Sequence, residues 1–226
     1  MREVASGFVF RWSILIGTPL VLTVLMLFHP APYSDILGEL VPIAGWWTAL
    51  HTIQFVLFAL MGAAIWMLTE GLRGGAVVVS RVAAVIFVVF YDIGDAVAGI
   101  STGVLAQNAA NLHAGKQAAV AGAIEMLFRS PTKNLAFTIG IYGWILALGA
   151  AAFVLYRVGA PRVPLVLMVL PVIFISFFDH AFPFGSLAFG SFFLVALWLE
   201  LARPKYVPDE DGSYPAEAPV SETRHR

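Results

Sequence analysis

Long apolar runs, broken by short polar punctuation, take up almost the whole chain. Six of them reach the length of a membrane crossing: 12–28, 46–69, 81–105, 135–156, 163–180 and 184–201. A helix needs roughly 20 apolar residues to cross ~30 Å of hydrocarbon. In lipid only a helix or a closed barrel satisfies its own backbone. The expected fold is therefore all-α, a polytopic membrane helix bundle with six transmembrane helices filling residues 1–202. Pro19 falls near the middle of the first run and predicts a kink there.

Two connections have a pattern of their own. Residues 30–43 contain a short helix begun at Ser34–Asp35, with Ile36, Leu37, Leu40 and Val41 on one side. Residues 107–131 are longer than connections without structure usually are. Within them 115–129 reads as an amphipathic helix between helices 3 and 4, with Val120, Ala121, Ile124, Leu127 and Phe128 on one stripe. Lys116, Gln117, Glu125 and Arg129 supply its polar face, so it lies on the outer membrane surface or caps the bundle. Residues 203–226, with Pro204, Pro208, Pro215 and Pro219, turn abruptly polar and are expected to form a disordered cytoplasmic tail. The first run lacks a small-x-small cleavage site before His29–Pro30 and is read as a retained helix.

Charge supplies the orientation. With the N-terminus inside, Arg2, Arg11, Arg73, Arg81, Arg157, Arg162, Arg203, Lys205, Arg224 and Arg226 fall on inner segments, against only Lys116, Arg129 and Lys133 outside. This bias places both termini in the cytoplasm. The host membrane is expected to be the plasma membrane of a prokaryote. At 12% charged and 60% hydrophobic residues, the composition fits lipid as solvent. A net charge of −1 excludes a strongly basic nucleic-acid surface. The absence of cysteine excludes thiol nucleophiles and thiolate zinc sites.

The few ionisable residues inside the runs carry the candidate chemistry, because a charge in hydrocarbon is costly unless it is used. The orientation brings His51 near the outer end of the second helix and Asp92 to mid-membrane. Asp95 falls a little further out, and Asp179 and His180 at the outer end of the fifth helix. His29 ends the first helix on the same side and can face the same cavity, although a histidine at a helix end beside a proline is more often interfacial than a ligand. His51 and Gln54 share a helical face, as do Asp92, Asp95, Gly99 and Thr102. The expected site is thus an outward-opening cavity of His51, Gln54, Asp92, Asp95, Asp179 and His180.

Three functions fit that cavity. The first is binding, and translocation, of a small ligand, ion or proton, since two carboxylates one turn apart in low dielectric do not both ionise readily. The second is a membrane-embedded enzyme acting on a lipid or isoprenoid, with His51, Asp95 and His180 holding a divalent metal (zinc, iron or manganese) and an open water position. The third is a non-catalytic subunit whose Gly- and Ala-rich fourth helix docks a membrane protein partner or a second copy. His51, the acids of the third helix and Ser176-x-x-x-His180 resemble in part the zinc-dependent membrane hydrolases that include alkaline ceramidases. Ser176, however, stands where that family has a histidine, and six helices replace seven. The tryptophans near helix ends read as an interfacial belt, and the phenylalanines of the last hairpin as lipid-facing packing.

Overall fold

The structure, a computed structural model, describes residues 2–30, 36–178 and 180–203. Asp179, Ser34–Asp35 and the proline-rich tail lie outside the described residues. Every described element is helical. Helix α1 (Arg2–Trp12) passes through a π-helical turn at Ser13–Gly17 into α2 (Thr18–Met26). Pro19 has no N–H to give Leu15, and the looser π turn just before it absorbs that loss. A short helix, α3 (Ile36–Leu40), leads through a 3-10 turn at Val41–Ile43 into α4 (Ala44–Leu68). Helix α5 (Gly75–Asp95) continues through a second π turn, Ala96–Ser101, into α6 (Thr102–Ala109). Next come α7 (Ala114–Phe128), α8 (Pro131–Arg157), α9 (Arg162–Leu167), α10 (Val169–Phe178) and α11 (Phe184–Ala202).

Among the described residues five stretches are long and apolar enough to cross a membrane: Gly7–Met26, Gly38–Leu68, Gly75–Ala109, Ala114–Arg157 and Phe184–Ala202. The remaining apolar run folds as Arg162–Phe178, which is shorter. It is divided at Met168 because Pro171 cannot donate to Leu167 one turn back. At 1.5 Å per residue it reaches roughly 25 Å, somewhat less than a full hydrocarbon crossing. Six apolar segments thus become five long helices and one broken, shorter one.

Helices α5 and α8 pack most closely. A Cβ added at Gly140 would sit 2.7 Å from the backbone nitrogen of Tyr91, and one at Gly143 2.6 Å from that of Phe87. Small residues here let two backbones touch, and dispersion contacts between them replace the hydrophobic drive that lipid does not supply. Ser80 Oγ donates to Ala147 O at 2.9 Å and Trp144 Nε1 to Pro171 O at 3.1 Å, tying α5, α8 and α10 together. With α8 on one side of α5, Asp95 faces His51 of α4. The core between them is aromatic: Phe58, Phe87, Tyr91, Trp144, Phe189 and Phe192 are all buried.

The two ends of the bundle differ. At one, Arg11 donates to both oxygens of Glu200 at 2.7 Å, to Met67 O at 3.1 Å and to Glu70, joining α1, α4 and α11. Arg203 donates to Glu70 O and Arg81 to Thr69 O at that same end. At the other lie His29, His51, Asp95 and His180. Along α4, His51 and Glu70 are separated by roughly 28 Å, about the thickness of a hydrocarbon core.

Candidate metal centre

Three segments deliver the histidines. His29 stands three residues beyond α2, where the chain leaves the helix before Pro30. His51 lies in the second turn of α4, and His180 in the turn between α10 and α11. All three are buried, at 6%, 2% and 7% of their surface exposed. The His29 ring centroid lies 5.0 Å from that of His51 and 4.9 Å from that of His180. One ligand nitrogen from each falls within 4.8 Å of the others. For bonds of ~2.0 Å the donors of a tetrahedral ion are roughly 3.3 Å apart, so closure onto an ion asks the rings to move by about 1 Å.

The outward nitrogens are tethered. His51 Nδ1 lies 2.8 Å from Trp47 O, and His29 Nδ1 2.7 Å from Pro30 O. A carbonyl only accepts, so in both rings Nδ1 carries the proton and Nε2 presents its lone pair. His180 Nδ1 lies 3.0 Å from the Tyr91 hydroxyl. This is the arrangement by which metal-binding imidazoles are oriented, one nitrogen hydrogen-bonded outward and the other turned to the ion. Nε2 of His29 is buried and has no hydrogen-bond partner. Burial, together with the neighbouring His180 and His51 rings, pushes the His29 imidazole down to about 3, so it is a neutral donor at ordinary pH.

Asp95 completes the centre. Its Oδ1 is 3.3 Å from His180 Nε2 and 3.9 Å from His51 Nε2, and the residue is 2% exposed. The two Nε2 atoms therefore converge on one oxygen. The register is set by the π turn that follows Asp95, where Gly99 lies flat under the His51 ring. A Cβ there would be 2.0 Å from His51 Cδ2. Trp47 packs against His51 with centroids 4.3 Å apart and planes tilted by 43°, and it donates Nε1 to Gly99 O at 2.9 Å. Trp47 is thus a wall of the site rather than a membrane-interface residue, as Trp144 is of the core; Trp46, Trp66 and Trp198 are the exposed ones.

Of the residues expected at the site, His51, Asp95 and His180 come together, and Asp92 and Gln54 are buried one turn deeper. Asp179 lies outside the described residues. His29, able to face the cavity but read more readily as interfacial, is buried between the other two rings, and Tyr91, Trp47 and Gly99 join it as supports. A chemical signal for His29 was present in the sequence: a histidine held immediately before a proline at the same bundle end as His51 and His180. Its burial needed the tertiary packing.

A cap covers this end. Leu40, Ala44, Trp47, Ala106 and Ile124 form a small cluster of their own, with Val41, Ile43, Leu105, Val120 and Phe128 packed around it. The helix expected over 115–129 is present as α7, and Ile124 and Phe128 of its apolar stripe meet α3, α4 and α6 there. The phenylalanines of the last hairpin divide: Phe189 and Phe192 are core, whereas Phe177, Phe178 and Phe182 are exposed. Comparison of the chain with protein-family models, with curated proteins and with solved structures gave no match.

Proposed function

We propose that this chain is an integral membrane protein holding one divalent transition-metal ion on the Nε2 atoms of His29, His51 and His180, with Asp95 beside the fourth position. The observation that carries this reading is the tethering of all three Nδ1 atoms while their rings converge. Three imidazoles and one carboxylate suit zinc, iron or manganese. Three protein donors with a position left for water are the pattern of catalytic rather than structural zinc. In that role Asp95 would take the proton of a water held by the ion. A membrane-embedded metal-dependent enzyme, drawing its substrate from the outer side or the bilayer, is therefore favoured over translocation. Support for translocation is weaker because the aromatic core lies directly below: the Phe58 and Tyr91 rings are 6.1 and 5.8 Å from His180.

The test is the metal content of the detergent-purified protein, measured by plasma mass spectrometry for wild type, His29→Ala, His51→Ala and Asp95→Asn. Near-stoichiometric zinc, iron or manganese in wild type, lost in both histidine variants, is expected. Reconstitution with Co2+ should give the visible bands of a four-coordinate ion, altered in Asp95→Asn. Wild type without metal after such reconstitution, or histidine variants that retain it, would refute the reading.

A further inference from the structure

Toward the arginine-rich end of the bundle, a lateral groove of about 440 Å³ runs between α4 and α5. Ala59, Gly62 and Ala63 of α4 line it from one side, and Ala84, Val85 and Val88 of α5 from the other. Gly62 brings the two helices together behind it: a Cβ there would lie 2.3 Å from Val88 Cγ2 and 3.6 Å from Ala84 O. Trp66, which also lines the groove, and Val85 are both exposed, so it opens sideways to lipid. Along α4 the lining runs from Ala59 to Glu70, roughly 16 Å, or about half of a ~30 Å hydrocarbon core. That is the depth of one leaflet.

An apolar groove selects nothing by itself in a membrane, because lipid tails are equally apolar outside it. The selecting group is Arg81. It stands three residues before Ala84 and four before Val85, so it extends the lining stripe of α5 by one turn. Its guanidinium lies over the Trp66 ring, 4.8 Å from the centroid, and donates to Thr69 O at 3.1 Å. These two contacts hold it beside the groove. Its Nε is buried without a hydrogen-bond partner. Among the described residues Arg81 enters no ion pair, and the nearby Glu70 and Glu200 are both taken by Arg11. The groove therefore ends at a fixed cation with no acid of its own.

We propose that this groove binds one anionic phospholipid, with an acyl chain between α4 and α5 and the phosphate on Arg81. A guanidinium offers phosphate paired, charge-assisted N–H donors, which no tail contact can match. A zwitterionic headgroup carries its own cation and gains less from Arg81 than an anionic one does. The site is distant from the histidines and does not depend on the metal reading.

The experiment is native mass spectrometry of the detergent-purified full chain, titrated with phosphatidylglycerol or with phosphatidylcholine of the same acyl chains. One phosphatidylglycerol per chain is expected to bind at least about tenfold more tightly than phosphatidylcholine, the size of one charge-assisted hydrogen bond. Arg81→Gln should abolish that preference. Ala63→Phe, which fills the groove and leaves the arginine in place, should weaken the first phosphatidylglycerol by a similar factor. Arg73→Gln, an exposed arginine at the same end, should change nothing. Equal affinity of wild type for the two lipids overturns the proposal even if the variants do not fold. An undiminished preference in Arg81→Gln, or undiminished phosphatidylglycerol binding in Ala63→Phe, overturns it as well. An equal loss in Arg73→Gln would assign the effect to general surface charge and overturn it too.

Discussion

Tyr91 shows how much a single side chain contributes to the histidine centre. Its hydroxyl is the partner of His180 Nδ1, and its ring is wedged between Phe58 at 5.2 Å and Phe137 at 5.1 Å. Tyr91→Phe keeps the ring and deletes the partner. We expect it to fold normally and to lower metal affinity by about 10–100-fold, as loss of an outer partner of a metal-bound histidine commonly does. A competition titration against a chelator measures this, and an unchanged affinity would remove Tyr91 from the centre. Gly99 acts by its lack of a side chain. Gly99→Ala drives a methyl into the His51 ring and should cost about 1–3 kcal/mol while lowering metal occupancy. Gly115→Ala, where a Cβ meets nothing within 4 Å, is the control. Thermal unfolding paired with metal analysis reads both, and Gly99→Ala with wild-type metal content would contradict the contact.

Among the elements, α7 is the one whose role the pattern left open between surface helix and cap. Ile124 is fully buried and is the only residue of α7 so placed. Its cluster shares Trp47 with the wall of the histidine site, so cap and centre are linked through one indole. Truncating a buried isoleucine costs about 2–5 kcal/mol, a large share of what can hold so short a helix in place. Ile124→Ala should raise hydrogen exchange throughout α7 while α5 and α8, locked at Gly140 and Gly143, stay protected. The same variant should surrender its metal faster to an external chelator. Equal exchange in α7 and an equal metal release rate would mean that α7 does not cover the site.

For the molecule as a whole, the two ends of the bundle carry different charge. The arginine-rich end holds Arg11, Arg81 and Arg203, and the histidine end holds the cap with Lys116 and Arg129. The positive-inside bias puts the first at the cytoplasm. Because the chain has no cysteine, single substitutions report without background. Lys116→Cys should react in intact cells with a membrane-impermeant thiol reagent, and Arg73→Cys only after lysis. The reverse pattern would invert the bundle and open the histidine centre to the cytoplasm.

Much of this was legible along the chain. Apolar run length made the protein a helical membrane bundle, because an unpaired backbone cannot be left in lipid, and that constraint is local. The cost of charge in hydrocarbon picked out His51, Asp92, Asp95 and His180 for the same local reason. The break in Arg162–Phe178 is also written in the sequence, at Pro171, although length alone hid it. What only the tertiary structure decided is which nitrogens meet. His29, His51 and His180 come from three segments with no shared spacing, so no motif joins them. Their convergence depends on how α2, α4 and the turn before α11 pack. Close approaches at Gly99, to the His51 ring, and at Gly140 and Gly143, to the α5 backbone, are part of that packing, and there the decisive feature is a missing atom whose effect depends on what lies across the gap.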